Sequence, residues 1–193
     1  MSGDRQEIYE QIKSSYNHVP NPGDLLFLSR ACYGGVVRFR QDDGFMSTPC
    51  GVHQPISPAS FDRRVDLWHE RVKGTEFYCS DFEPIMGQAE EGDVVYCDPP
   101  YVHSLTILYG AQSFDLERLL KTIAKCKGRG VSVLLSIDGT KKSGNYLCHL
   151  PILDGLFARE IMVNCGRSML KRFQMAGEEL SSEVVNDRLL LTW

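Results

Sequence analysis

Two periodicities divide this chain. Up to about residue 73 the apolar residues fall at helical spacing or break into short irregular runs, and from Thr75 onward strand-like and helix-like stretches alternate. Ile8, Ile12 and Tyr16 lie four apart and predict an amphipathic helix over residues 8–16. Pro20-Asn21-Pro22-Gly23 breaks that pattern, and a short apolar run, 25–28, follows. Residues 29–58 read as an irregular, hairpin-rich module. Gly34-Gly35, Asp42-Asp43-Gly44, Pro49, Gly51, Pro55 and Pro58 punctuate strand-like pieces such as 36–39. Ser60 is placed to cap a helix running to about Val72, with Phe61, Val65, Trp68 and Val72 on one face.

In the second part, residues 75–79 read as a strand, 82–86 as a turn or short helix, and 93–97 as a strand buried on both faces. Residues 115–127 form the clearest helix, with Leu116, Leu119, Leu120, Ile123 and Ala124 as its apolar stripe. Gly128 and Gly130 end it, beside Lys125, Lys127 and Arg129, whose charges suit a helix C-terminus. A second buried strand is expected over 131–137, and 160–164 and 188–193 are strands able to close as a hairpin. Strand–helix–strand order with buried strands predicts the α/β class with a parallel or mixed sheet. The expected division is a helix and linker over 1–24, the irregular module over 25–73, and the α/β part over 74–193.

Composition narrows the classes. Hydrophobic residues make up 42% and charged ones 24%, which excludes a disordered tail, a coiled coil and a collagen-like fibre. At this length roughly two-thirds of the unfolded surface can be buried, so no disulfide or metal is needed to hold a core. The formal net charge of −4 argues against a protein that coats nucleic acid through its overall field, so any such binding comes from local basic patches. No run of about 18 apolar residues exists to span a membrane, and residues 1–10 do not resemble a secretory signal. The seven cysteines are scattered, without a C-x-x-C pair. With His53, His69, His103 and His149 isolated, reduced thiols in a cytoplasmic protein without a metal are expected.

The stretch that carries chemistry is Asp98-Pro99-Pro100-Tyr101, directly after the strand over 93–97. Two prolines supply no backbone N–H, so a sheet ladder stops there, and each biases the residue before it toward an extended conformation. The product is a stiff corner with one carboxylate, exposed carbonyls and one aromatic ring at a strand end, where open α/β sheets bind ligands. An exocyclic amine on an aromatic base is a poor nucleophile because its lone pair is delocalised. Two acceptors, Asp98 Oδ and the Pro99 carbonyl, can draw it toward a tetrahedral geometry while Tyr101 stacks on an extruded base. The same tetrapeptide is also compatible with a plain strand-ending turn and a solvated Asp98.

Arg30, Arg38 and Arg40 with Tyr33 and Phe39 form a basic and aromatic cluster free of acids between Ser29 and Gln41. Arginine reads guanine bidentately and aromatic rings wedge into base steps. Alternation along a hairpin would set Arg38 and Arg40 on one face and Val37 and Phe39 on the other. A half-buried hairpin with a solvated basic face is the alternative. Arg63, Arg64 and Arg71 interleave with Asp62, Asp66 and Glu70 as a salt-bridged helix face. Lys141, Lys142, Arg167, Lys171 and Arg172 suit phosphates or solvated loops equally.

The corner resembles that of the amino-methylating, S-adenosylmethionine-dependent DNA methyltransferases, and the rest of the chain is similar to their Dam-like, D12 class adenine-N6 group. In that group a recognition module with an aromatic, glycine and arginine hairpin and a Pro-x-Gly turn precedes the corner. Here Ser29 to Arg40 and then Pro49-Cys50-Gly51 stand in the same order. Phe77-Tyr78-Cys79-Ser80-Asp81-Phe82 resembles the strand and turn that line the donor adenine. Ser113-Phe114, residues 134–138, Arg167-Ser168 and residues 189–192 resemble later segments, so the resemblance runs from about Leu25 to the C-terminus.

The resemblance implies an incomplete Rossmann-like sheet with a small recognition module, S-adenosylmethionine as donor, no metal, and double-stranded DNA as substrate. It implies Asp98, Pro99, Pro100 and Tyr101 as the catalytic set and Asp81, Phe82 and Asp98 at the donor. Arg30, Tyr33, Arg38 and Arg40 would lie at the DNA. Ribosomal RNA bases and protein glutamine amides are served by a related corner, and the module ahead of it favours DNA. The group's Phe-x-Gly-x-Gly loop, which cradles the methionine end of the donor, has no counterpart in these 193 residues. The expectation is therefore a truncated, split or inactive enzyme that pairs with a complementary chain or with itself through an exposed sheet edge. A non-catalytic DNA-binding or regulatory subunit is the alternative.

Overall fold

In the computed structural model the first amphipathic stripe belongs to α1 (Ser2–His18), and the Pro20–Gly23 break opens a second helix, α2 (Pro22–Ala31). The apolar run over 25–28 is therefore helical. Asn21 sits at the N-cap, its side chain accepting from the Asp24 N–H at 2.9 Å, and Pro22 occupies the first turn, where a missing N–H costs nothing. The described residues are 2–52, 56–100, 114–141, 146–165 and 186–193, and they divide into two units, Met1–Cys79 and Ser80–Trp193.

The core of the first unit is Tyr9, Leu28, Cys32, Val37 and Met46. A 3-10 turn (Tyr33–Gly35) leads into a hairpin that has no strands. Single bridges, Cys32 with Cys50 and Phe39 with Met46, hold it, so the strand-like piece expected over 36–39 forms no ladder. Side chains supply the missing bonds. The Thr48 hydroxyl donates to the Val36 carbonyl and accepts from the Arg38 N–H, each at 2.9 Å. From α1, Asn17 accepts from the Met46 N–H at 2.6 Å and donates to its carbonyl at 3.1 Å, as a neighbouring strand would. Tyr9 Oη donates to the Thr48 carbonyl at 2.8 Å, and burial raises the pKa of this hydroxyl far above its ordinary value. A Cβ on Gly51 would stand 2.7 Å from the Cys32 carbonyl oxygen, so only glycine allows this close approach.

The third helix, α3 (Pro58–Arg71), begins two residues before the expected cap at Ser60 and buries none of its residues, with Val65 and Trp68 exposed. Residues 75–79, expected as a strand, make no ladder, and Phe77 and Tyr78 lie exposed.

The second unit runs α4 (Phe82–Gly87), β1 (Val94–Cys97), α5 (Leu116–Gly128), β2 (Ser132–Asp138), β3 (Thr140–Lys141), β4 (Tyr146–Leu147), β5 (Arg159–Asn164) and β6 (Asn186–Leu191). Four strands form one mixed sheet in the order β1-β2-β6-β5, while β3 and β4 pair separately. β1 and β2 are parallel, and β6 is antiparallel to both β2 and β5, which confirms the α/β class. Asp115 caps α5, and the apolar stripe of that helix packs onto Val133, Leu135, Ile137 and Leu190. Gly139 turns the chain after β2 where an added Cβ would be 2.2 Å from the Asn186 carbonyl oxygen.

One expectation fails in an informative way. The strand over 93–97 is not buried on both faces: Cys97 faces the α5 core, but Val94 and Tyr96 are 66% and 60% exposed. β2 likewise alternates between buried and half-buried residues until its last position. Among the described residues, a helix covers the sheet on one side only.

Replacing Asn17 by Ala strands the Met46 N–H and carbonyl and should cost the first unit roughly 1–3 kcal/mol. Denaturant unfolding with a probe in the first unit checks this, and an unchanged midpoint would mean that Met46 bonds to water instead.

Candidate functional site

β1 ends at Cys97, and the chain leaves the sheet at Asp98-Pro99-Pro100. β2 continues to Asp138 alongside, so the corner stands at the carboxyl ends of two parallel strands. Asp98 is exposed, while both prolines are half-buried and pin the turn. The thiol of Cys97, one residue before the carboxylate, is pushed up to about 11 by burial and, secondarily, by Cys126. It is a neutral packing group and not a nucleophile. Asp138 is 3% exposed at the end of β2, and Phe114 packs against the α5 core. Tyr101, Ser113, Lys142, Arg167, Ser168, Lys171 and Arg172 lie outside the described residues.

Asp81 and Phe82 sit at the N-terminus of α4, in the same unit. Asp81 Oδ1 accepts from the Glu83 N–H at 2.9 Å as an N-cap. Arg118 of α5 grips the same carboxylate with both terminal nitrogens, reaching Oδ2 at 2.9 Å, and its Nε donates to Glu83 at 3.0 Å. Its guanidinium also stacks 4.7 Å from the centre of the Phe82 ring. Lys125 adds a second contact to Glu83 at 3.1 Å. The Arg118 bond, then the Glu83 N–H, lowers the pKa of Asp81, and Lys125, then Arg118, does the same for Glu83. Among the described residues, these bonds take three of the four lone-pair sites on Asp81 and leave one on Oδ2. Nothing in the local sequence signals Arg118, because it lies 37 residues from the carboxylate it holds.

The basic cluster is divided by the fold. Val37 and Phe39 pack inward, whereas Arg30, Tyr33 and Arg38 are exposed. Arg40 is spoken for: it pairs with Asp43 through Nε at 3.0 Å and Nη2 at 2.6 Å, and lies 4.2 Å above the Phe45 ring. The acid-free stretch ended at Gln41, and the turn brings Asp43 back onto it. Sequence reasoning also missed Tyr9, Asn17 and Thr48, which hold the hairpin. A tyrosine and an asparagine on a helix give no hint that their partners lie some 30–40 residues on.

A cavity of about 440 Å³ opens beside Cys148, His149, Asp154, Glu160 and Arg188, on the β5 and β6 side of the sheet and away from the corner. Arg188 is spent there on Glu160, with Nη2 at 2.9 Å from Oε2 and Nε at 2.8 Å from Oε1. Among the described residues no group of three or more metal-ligating side chains occurs, and no helix is long and apolar enough to cross a membrane.

Together these features define an α/β unit with an exposed carboxylate-bearing corner at a strand end, and a unit that bears a hairpin. Known proteins make the class specific. The family model for D12 class N6 adenine-specific DNA methyltransferases matches residues 3–164. DNA adenine methylase of Escherichia coli strain K12 is 31% identical over 148 residues, which cover 69% of this chain and 51% of the relative. DNA adenine methylase of Vibrio cholerae is 28% identical over 149 residues, covering 70% of this chain and 52% of the relative. DNA N-6-adenine-methyltransferase of Escherichia phage P1 is 29% identical over 147 residues, 69% of this chain and 19% of that protein.

The chain belongs to the D12 class N6 adenine-specific DNA methyltransferase family, which implies a Rossmann-like sheet and S-adenosylmethionine as donor. The match reaches back to residue 3, well before Leu25, and so takes in α1. The chain spans about half the length of the bacterial relatives it matches.

The lowered carboxylates give a pH dependence with a definite sign. The Arg118 contacts steady α4 against α5 above the ordinary carboxylate range and are lost as the pH falls through the depressed values of Asp81 and Glu83. Arg118→Met should bring both groups back toward their ordinary range in a ¹³C carboxyl NMR titration. Unchanged titration would mean that Arg118 does not hold them in solution.

Proposed function

We propose that this chain supplies the DNA-reading and amine-activating parts of an adenine-N6 methyltransferase that uses S-adenosylmethionine on double-stranded DNA in the cytoplasm. The observation that carries this reading is the Asp98 corner, released from the sheet at the carboxyl end of β1. The partition follows: residues 25–73 read the target, held by the helix within 1–24, and residues 74–193 do the chemistry.

When bound, the donor supplies an electrophilic methyl group. The chain's own residues prepare the nucleophile. Asp98 Oδ and the Pro99 carbonyl accept the two N–H bonds of the extruded adenine amine, and Tyr101 stacks on its ring. Pro100 has no N–H, so no ladder competes for the turn. The developing positive charge on the nitrogen is stabilised by the Asp98 carboxylate, which then receives the released proton. The open lone pair on Asp81 suits the donor's adenine amine, with Phe82 against its ring and the α4 N-terminus beneath. Arg30, Tyr33 and Arg38 face the DNA, and Arg40 joins them by leaving Asp43. For the donor's methionine end the chain has no glycine-rich loop, so a complementary part completes the enzyme. No metal enters this scheme.

Asp98→Ala, assayed with the complementary part present, should lower the methylation rate by about 10²–10³. A wild-type rate would contradict the assignment, and donor-independent DNA binding with no methylation by the complemented wild type would support a non-catalytic subunit instead. Replacing Arg38 and Arg40 together by Ala should lower the logarithmic salt slope of DNA binding by about 1.8 if both meet phosphates. If either reads guanine, discrimination at one base pair should fall by about 1–3 kcal/mol instead. Binding to cognate and scrambled duplexes over a salt series separates these outcomes, and no change in either would leave the hairpin a solvated face.

A further inference from the structure

We infer that Cys32 and Cys50 are a redox-modification site, two thiols opposed at the base of the hairpin that join as a reversible disulfide. The oxidant is a small-molecule disulfide of the glutathione class. The site lies within the first unit and is independent of the methylation chemistry.

The backbone places the pair. Cys32 and Cys50 are partners in an antiparallel bridge. The Tyr33 N–H donates to the Pro49 carbonyl and the Gly51 N–H to the Ala31 carbonyl, each at 2.8 Å. These bonds flank the pair and do not join it. Opposed residues in that arrangement have Cα atoms about 4.5 Å apart and side chains on one side of the ribbon. Disulfides take Cα separations of about 4.4–6.8 Å, so the two backbones already stand within bonding range. Gly51 secures the approach, because a Cβ there would meet the Cys32 and Ala31 carbonyl oxygens at 2.7 and 2.9 Å. All seven cysteines are free thiols, and among the described residues no other two of them are bridge or ladder partners.

The two sulfurs differ in access, which orders the chemistry. Cys50 is half-buried, its thiol 3.5 Å from the Gly51 carbonyl, whereas Cys32 is 4% exposed. Burial pushes the Cys32 thiol up, and the Gly35 N–H offsets part of that. Cys50 therefore attacks first. Its thiolate bonds to one glutathione sulfur, and one reduced glutathione leaves with the proton of the Cys50 thiol. Cys32 then attacks the Cys50 sulfur, the Cys50–glutathione bond breaks, and the second glutathione leaves with the Cys32 proton. Two thiols are oxidised, and one disulfide is reduced to two thiols. The link closes the loop between residues 32 and 50, which is otherwise held by isolated bridges and by ties from Thr48, Tyr9 and Asn17. Cys32 is also the C-cap of α2, its N–H on the Leu28 carbonyl, so the link fastens the hairpin to that helix. Covalent closure restricts the opened hairpin and so suppresses opening. In a reducing compartment a link of this kind is transient and reports the redox state.

The test incubates the reduced 193-residue chain with oxidised and reduced glutathione at a series of ratios, then quenches in acid, alkylates and maps the peptides by mass. A Cys32–Cys50 crosslink is expected, reversed by dithiothreitol. In the crosslinked form the Tyr33 and Gly51 amides should exchange with solvent at least about tenfold more slowly. Cys32→Ala should stall at a mixed disulfide between Cys50 and glutathione, and Cys50→Ser should leave Cys32 unmodified. Should Cys32→Ala lose its helical circular dichroism, Cys32→Ser replaces it in the same assay. A crosslink formed only in urea, a mixed disulfide that persists at Cys50 in the unaltered chain, modification confined to the exposed Cys79 and Cys165, or equal amide exchange in both forms would each overturn the proposal.

Discussion

The parallel pairing of β1 with β2 is the constraint on which the second unit depends. It fixes where β1 ends, and so where the two prolines lift the chain out of the sheet with Asp98 exposed. It also anchors α5, whose Leu119, Leu120 and Ile123 bury against the β2 side chains on one face. Through α5 the pairing reaches α4, because Arg118 bridges to Asp81 and Glu83. Asp81, Phe82 and Asp98 are thus referred to one pair of strands. Among the described residues β1 has a strand neighbour on one side only, so the Asp98 corner stands at the edge of the sheet.

The first unit works by a different principle. Its hairpin lacks a ladder, and α1 provides the substitute: an asparagine that mimics a strand, a buried tyrosine hydroxyl, and a threonine that bridges the hairpin from within. Such a scaffold fixes the base of the hairpin while leaving Arg38 and Tyr33 in solvent. A regular ladder would have fixed the backbone equally well, but its period of two would dictate every side-chain direction along the arm. With side-chain ties the exposed face of the hairpin is set by a few bonds, and Arg40 is paired with Asp43.

Much of this was legible in the residues, and the failures have physical causes. The α5 stripe, β2 and the pairing of 160–164 with the final strand follow from local periodicity, and all are present. Pro20 to Gly23 reads as a break because proline and glycine also punctuate loops, whereas in the structure Asn21 and Pro22 together make a helix start. Residues 75–79 have strand composition, but a strand exists only with a partner, and no local pattern reports whether one is available. The same reason explains why the apolar residues of β1 predict burial on both faces although Val94 and Tyr96 are exposed. The Asp-Pro-Pro corner and the D12 resemblance were readable because they depend on adjacent residues. Arg118, Asn17 and Thr48 were not, because their partners are distant in sequence.

The central claim is that these residues hold the adenine-facing and methyl-facing parts of a donor site whose other half comes from elsewhere. Calorimetric titration with S-adenosylmethionine tests it most directly, first on the chain alone and then on the chain with a complementary part that carries a glycine-rich loop. The account predicts no measurable binding by the chain alone and saturable one-to-one binding once the complementary part is present. Tight donor binding by the 193-residue chain alone would contradict it.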